Sequence, residues 1–324
     1  MDNKDIDVVV TEVGLRDGLQ SLETFFPTEG KIDWMRAEFA AGMREIEVTS
    51  LVPPKLVPQF VDAQQVVEAA HQVEGLTIVA LAPNMKGAER AFELGVHKVN
   101  YVLSVSRTHN LKNVRREREE SVADFARIVE AARARENRPW LVGGLSSALG
   151  CSYEGAVPLE DVVRWGVALA EAGADEIMIA DTVGHADPTL VRRTFKAVQE
   201  AVGPVPVSAH FHDTRGLGLA NVVAALETGV RRFEASLGGL GGCQFAPGAT
   251  GNIVMEDLCF LLESMGLRTG VDIERLVHVR EIIARHLPAT PLYGGVARAG
   301  LPRQYVPAAA RGIVQHASNL STAA

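Results

Sequence analysis

The sequence is poor in cysteine, with only Cys151, Cys243 and Cys259 in 324 residues. So sparse and odd a set argues against a disulfide framework and for a reducing compartment. No apolar run is long enough to cross a bilayer, so no membrane partner is expected. The opening MDNKDIDVVV lacks a basic stretch followed by an apolar one, as a secretory signal would have. Cytoplasmic residence is therefore expected. Positive charge is also in deficit, with 32 Lys and Arg against 40 Asp and Glu and a formal net charge of -8. That balance gives no overall attraction to nucleic acid or to an acidic membrane surface. The glycine spacing of a dinucleotide-binding turn, G-x-G-x-x-G between strand and helix, is missing as well.

What is present is an alternating pattern. Eight β-branched runs are predicted as strands, at 8–14, 45–50, 77–83, 98–105, 140–147, 176–182, 205–213 and 231–237. Between them lie stretches of helical periodicity, such as LEDVVRWGVALAEAGA at 159–174. Gly42, Gly95, Gly173 and Gly229 fall where a helix would end before the next strand. Eight strand–helix units predict an α/β fold, a (β/α)8 TIM barrel, rather than a doubly wound open sheet. Residues 1–270 are expected to form the barrel. Residues 271–324 are expected to add a helix, at about 272–286, and a Pro/Gly-rich tail packed on it rather than a second domain. The charge run RREREE at 115–120 reads as a solvated helix face.

Active sites of such barrels lie at the carboxyl ends of the strands. The chemistry-bearing residues collect there. The first strand leads to Arg16 and Asp17, and the second contains Glu47. The fourth leads to Arg107 and His109, the sixth ends at Asp181, and the seventh ends in HFHD. In that last run His210 and His212 share a strand face, about 7 Å apart at Cα. Asp213 faces the other way, as a turn residue. After the eighth strand comes GGLGGCQFAPGATGN, a glycine-rich loop carrying Cys243 and Asn252. His210, His212, Asp17 and Asn252 together make a mixed nitrogen and oxygen donor set. With no thiolate in it, Mg²⁺ or Mn²⁺ is expected as the divalent metal, and Zn²⁺ less so. Cys243 reads as a reactive group on a mobile flap, Cys259 as a core residue and Cys151 as a structural one.

TEVGLRDGLQ, EVTSLVPPK, LSSALGCSYEG, DTVG, HFHDTRGLGLAN and GLGGCQFAPGATGN, in that order, resemble the 3-hydroxy-3-methylglutaryl-CoA lyase family. The resemblance runs from about residue 8 to 272. It implies a metal-dependent cleavage of 3-hydroxy-3-methylglutaryl-CoA to acetoacetate and acetyl-CoA, with an acyl-CoA as the partner. By position, Arg16 matches the catalytic arginine, and Asp17, His210, His212 and Asn252 match the metal ligands. Glu47 and Asp181 match active-site carboxylates, and Cys243 matches the flap cysteine. His210, Asp17 and Asp181 are all candidates for the general base.

The chain departs from the family at RDGLQSLE, where Leu22 replaces an acid, and at SVSRTHN. Arg107 and His109 in the latter are therefore candidates for substrate selectivity. The basic residues that help hold CoA in some members are not evident around LPATPLY, and a C-terminal cysteine found in some members is absent. The competing readings are a lyase for a related 3-hydroxyacyl-CoA, longer-chain or malyl or citramalyl in type, and a Claisen-condensing synthase. A silent barrel acting as a scaffold is a third. Barrels of this type usually associate, so a homo-oligomer is expected.

Overall fold

The computed structural model of the chain describes residues 6–241 and 251–311. Eight parallel strands close into one barrel in sequence order: β1 (Val9–Glu12), β2 (Glu45–Ser50), β3 (Thr77–Leu81), β4 (Lys98–Ser104), β5 (Trp140–Ser146), β6 (Glu176–Asp181), β7 (Val207–Phe211) and β8 (Arg232–Ala235). Closure is made by β1 against β8, with Val10 beside Phe233 and Glu12 beside Ala235. Every strand falls inside its predicted run. Several stop short of its carboxyl end, because the last residues turn out of the sheet to build the site. The run 205–213 gives a strand of five residues, and His212 and Asp213 lie beyond it.

The helices are α1 (Thr28–Ala40), α2 (Ala63–Ala70), α3 (Met85–Glu93), α4 (Arg107–Val114), α5 (Arg118–Arg133), α6 (Leu159–Glu171), α7 (Pro188–Val202), α8 (Gly218–Glu227), α9 (Met255–Ser264), α10 (Ile273–His286) and α11 (Gly295–Ala299). Helix α10 packs along α1, so the chain beyond residue 270 leans on the start of the barrel wall. The stretch RREREE is not one helix face. Arg115 ends α4 in a left-handed conformation, with φ 56°. Two residues later Glu117 opens α5 through a capping box with Glu120. Local capping chemistry breaks the run where charge pattern alone suggested continuity.

The barrel interior is layered by the alternation of strand side chains. At the amino end, the first residues of β2, β4, β6 and β8 are Glu45, Lys98, Glu176 and Arg232. They form a buried ion network, with Lys98 Nζ 2.9 Å from Glu45 and 3.3 Å from Glu176, and Arg232 3.0 Å from Glu45. Two residues further along the same strands come Glu47, Asn100, Met178 and Glu234. Asn100 Nδ2 donates to Glu47 at 3.0 Å and to Glu234 at 3.3 Å. This polar layer is the floor on which the residues of the carboxyl end rest.

Candidate active site

Arg16 and Asp17 are carried by a single wide turn of π type, Gly14–Gly18, directly after β1. The amides of Arg16, Asp17 and Gly18 all converge on the Val13 carbonyl. Such turns recur at functional sites because they swing consecutive side chains to one side. Here both side chains reach the barrel axis. Arg16 Nε donates to Glu47 Oε2 at 2.5 Å, and its Nη1 to Asp17 Oδ1 at 2.5 Å. Glu47 is fully buried and is not part of the cavity lining. Its role is to hold Arg16. Burial pushes the Glu47 carboxyl up to about 7, with the neighbouring Glu234 adding to the shift and Arg16 opposing it.

His210, on β7, and His212, just past it, come within 3.1 Å of each other through their Nε2 atoms. Asp17 Oδ2 is 3.6 Å from His212 Nε2. One ligand atom from each of Asp17, His210 and His212 lies within 4.8 Å of the others, a cluster able to hold a metal ion. The other ring nitrogen of His210, Nδ1, meets Glu234 Oε2 at 2.8 Å. That leaves Nε2 directed to the cluster, the arrangement in which a carboxylate orients a ligating imidazole. Burial opposes the charged form of His210, but Glu234 outweighs it and raises the pKa. Burial would likewise raise Asp17, but Arg16 and the two histidines hold it down at about 2, so it is a carboxylate at neutral pH.

Asn252 reaches the same cluster from the segment after β8. Its Nδ2 donates to Asp17 Oδ2 at 2.7 Å and to Leu240 O at 2.9 Å. It therefore meets Asp17 with nitrogen, not with the oxygen expected of a ligand. Its Oδ1 is buried with no hydrogen-bond partner among the described residues. Half a turn of the amide would put that orphaned oxygen where the nitrogen now stands, at a spacing suited to two oxygens on one cation. Close approach here requires Gly241, which has φ +122°. A Cβ at that position would lie 2.4 Å from Asn252 Nδ2 and 3.1 Å from Asp17 Oδ2. The donor set of two imidazoles, one carboxylate and one orphaned amide oxygen fits a divalent ion.

A cavity of about 420 Å³ opens over the cluster, and Arg16, Asp17, His210 and His212 line it. Val52, Leu56, Leu81, Val102 and Met178 give it apolar walls. His109 also lines it and is 1% exposed. Burial pushes this histidine down to about 4, so it is neutral at pH 7.

The structure does not bring every expected residue to the site. Arg107 points to the surface, 59% exposed, in an ion pair with Glu117, because it begins α4 on its outer side. Asp181 is buried and absent from the cavity lining. Its two oxygens accept from the backbone amides of His185 at 2.9 Å and Ala186 at 3.0 Å, which fixes the loop after β6. Burial raises its pKa against those two donors. Asp213 accepts from Gly218 N at 2.8 Å, as a turn residue does. Cys243 lies outside the described residues. Cys151 and Cys259 are free and buried. Sequence reasoning missed Glu234 and Asn100. The available signal was a charged side chain at an inward register of a barrel strand, since Glu234 sits beside His210 in the β7–β8 ladder.

Fold and site together define a TIM-barrel enzyme with a candidate divalent-metal centre at the carboxyl end of its strands. Comparison with known proteins narrows the class. The HMGL-like family model matches residues 7–283, and the chain belongs to that family. It is 38% identical over 291 residues to a hydroxymethylglutaryl-CoA lyase of Bacillus subtilis, covering 88% of this chain and 96% of the relative. It is 38% identical over 280 residues to the mitochondrial hydroxymethylglutaryl-CoA lyase of Mus musculus, covering 86% of each. An HMG-CoA lyase from Acinetobacter baumannii, solved in complex with coenzyme A and 3-methylmalate, superposes with a TM-score of 0.86. That protein is 39% identical, with 93% of this chain and 97% of the other covered.

Proposed function

We propose that the protein is a carbon–carbon lyase that cleaves 3-hydroxy-3-methylglutaryl-CoA to acetoacetate and acetyl-CoA. The observation that carries this reading is the convergence of Arg16 with Asp17, His210 and His212 under one cavity in an HMGL-like chain.

The reaction needs a base for the tertiary hydroxyl, rupture of the adjacent carbon–carbon bond, and a place for the electron pair. A divalent ion held by Asp17, His210 and His212, with Asn252 completing the set, would bind substrate oxygens and make the hydroxyl more acidic. Mg²⁺ or Mn²⁺ suits these ligands. Asp17, ionised at neutral pH, would take the proton, while His210, its Nδ1 bonded to Glu234, would keep Nε2 on the ion. As the bond breaks, the pair moves into the enolate of acetyl-CoA. Arg16 offers guanidinium donors to the thioester oxygen where negative charge grows. Glu47 and Asp17 keep that guanidinium aimed and cost no reorganisation when charge develops. The enolate carbon then takes a proton to become the acetyl methyl group. Cys243, the match to the family's flap cysteine, would supply that proton.

Cytoplasmic residence is part of the proposal, supported by the free thiols of Cys151 and Cys259. No helix among the described residues is long and apolar enough to cross a membrane. Self-association is also proposed, supported by the exposed apolar Tyr293 in the segment after residue 290. Light scattering on the eluting protein tests it.

The deciding experiment is acetyl-CoA release from 3-hydroxy-3-methylglutaryl-CoA with Mg²⁺ or Mn²⁺, beside a chelator-treated sample. Metal-dependent turnover is expected. A folded, metal-loaded protein that releases no acetyl-CoA would refute the assignment.

A further inference from the structure

Resting on the metal centre proposed above, we propose that Glu38 is a positioning residue for it. By sharing a proton with Glu12, Glu38 holds in place the carboxyl that ties the turn bearing Arg16 and Asp17 to the residues on which Asn252 rests.

The tie comes first. Glu12, the last residue of β1, is fully buried. Its Oε1 accepts from Gly14 N at 2.6 Å and from Leu237 N at 3.0 Å. Gly14 opens the π turn, and Leu237 opens the short helical turn Leu237–Gly239 that follows β8. One oxygen thus joins two segments that meet again at the cluster, where Asn252 Nδ2 bonds both Asp17 Oδ2 and Leu240 O. The packing between them is close. A Cβ at Gly18 would stand 3.0 Å from Leu240 Cβ. One at Gly14 would stand 2.5 Å from Glu12 Oε1 and 2.6 Å from the Trp34 ring. The turn has no slack to absorb a shift of Glu12, and it must follow.

The second observation is a pair of bare oxygens. Glu38 reaches Glu12 from α1 and is also fully buried. Its Oε1 accepts from Trp34 Nε1 at 2.6 Å, one turn earlier on the helix. Oε2 of Glu12 and Oε2 of Glu38 are both buried with no donor among the described residues. The two carboxyls are hydrogen-bonding neighbours. Two carboxylates side by side and out of water repel each other, and a proton between them turns the clash into a bond. Burial pushes both carboxyls up, Glu12 to about 8 and Glu38 well above the ordinary range. The amides of Leu237 and Gly14 oppose the rise at Glu12. The shared proton therefore rests on Glu38 and is donated to Glu12.

The surroundings favour that proton. Glu256, on α9, adds negative charge beside both acids. It accepts from Gly238 N at 3.0 Å and from Arg280 of α10 at 2.6 Å. The thiol of Cys259, also on α9, is pushed up by burial and by these same acids, so it stays neutral. The pair keeps its proton at neutral pH. As pH rises beyond about 8 the proton is lost, and repulsion drives Glu12 off its tie.

The test compares wild type with Glu38→Gln and Glu38→Met. Glutamine still accepts from Trp34 and donates to Glu12, with no proton to lose. Methionine fills the space and donates nothing. The first reading is infrared, on protein free of metal and substrate. At neutral pH wild type should show protonated-carboxyl intensity that Glu38→Gln lacks, and the difference spectrum removes the bands of other buried acids. The second is titration of chelator-stripped protein with Mn²⁺ between about pH 6 and 9. The ratio of wild-type to Glu38→Gln affinity cancels the protonation of the metal ligands. It should be near one at pH 7 and fall about tenfold by pH 9. Glu38→Met should bind Mn²⁺ about three- to tenfold more weakly than wild type at pH 7, a loss that Glu38→Gln recovers. Thermal melting shows that each variant is folded, and Glu38→Met decides the matter even if Glu38→Gln is not. No carboxyl intensity lost in Glu38→Gln refutes the shared proton. A ratio flat across pH, or full-strength Mn²⁺ binding by Glu38→Met, refutes the positioning role alone. Wild type that binds no Mn²⁺ at any pH refutes the metal reading and this role with it.

Discussion

Replacing Glu234 by glutamine tests the site where it was least visible in the sequence. In the structure Glu234 Oε2 stands 2.8 Å from His210 Nδ1, and both side chains are buried. Glutamine keeps the volume and can still accept from Nδ1, but it removes the negative charge. A hydrogen bond to a charged group contributes about 1.5–3 kcal/mol and a neutral one about 0.5–1.5 kcal/mol. The difference, on the order of 1–1.5 kcal/mol, corresponds to about tenfold in divalent-ion affinity. Glutamate to alanine also frees the ring to turn, and should reach the roughly 10–100-fold loss typical of removing a partner behind a metal ligand. The assay is titration of chelator-stripped protein with Mn²⁺, with thermal melting beside it to show that the barrel persists. Wild-type Mn²⁺ affinity in Glu234→Gln would refute the idea that this carboxylate sets the His210 ring for a cation.

Other consequences follow from the same geometry. Arg16→Gln removes the cation aimed at the developing enolate, and kcat should fall about 10²–10³-fold with a much smaller change in KM. Burial alone would raise the Glu45 carboxyl, but Lys98 and Arg232 outweigh it and hold it at about 2 against an ordinary 4.5. A depressed carboxylate stabilises the fold above its ordinary pKa, and that contribution is lost as pH falls from about 4.5 through 2. Urea melts across this window should show the loss in wild type and a shallower slope in Lys98→Met. That variant should also be less stable at neutral pH by about 3–5 kcal/mol, since Glu45 and Glu176 would be left buried without their lysine. Asp181→Asn keeps one of the two acceptors that fix residues 185 and 186. It should cost about 1–3 kcal/mol in a denaturant melt. A large loss of kcat with unchanged stability would instead place Asp181 in the chemistry.

How much could be read from the chain alone differs between the scaffold and the site. The eight strands were legible because each is buried on both sides and reads as a β-branched run, and the run Glu45–Ser50 coincides with its strand. The barrel followed from their regular alternation with helices. Arg16, Asp17, His210 and His212 were legible because each stands at or just past the end of a strand, where the fold concentrates function. Their convergence into one cluster is a structural fact that motif spacing only anticipated.

The tertiary structure decided the partners. Glu234 and Asn100 are ordinary polar residues in sequence, and they become the floor of the site only because strand alternation and barrel closure stack them with Glu47 in one layer. Asp181 ends its strand as Asp17 follows another, yet the loop after β6 folds back and takes both its oxygens, while the π turn after β1 delivers Asp17 to the axis. Arg107 and His109 are two residues apart, and the helix they begin sends one to solvent and the other inward. The sequence by itself determined the order of strands and helices and the kinds of chemical group at the barrel's carboxyl end, because hydrophobic periodicity and residue type are local properties. Which of those groups face one another is set by turn geometry and side-chain direction across elements far apart in the chain, and only the closed barrel brings these together.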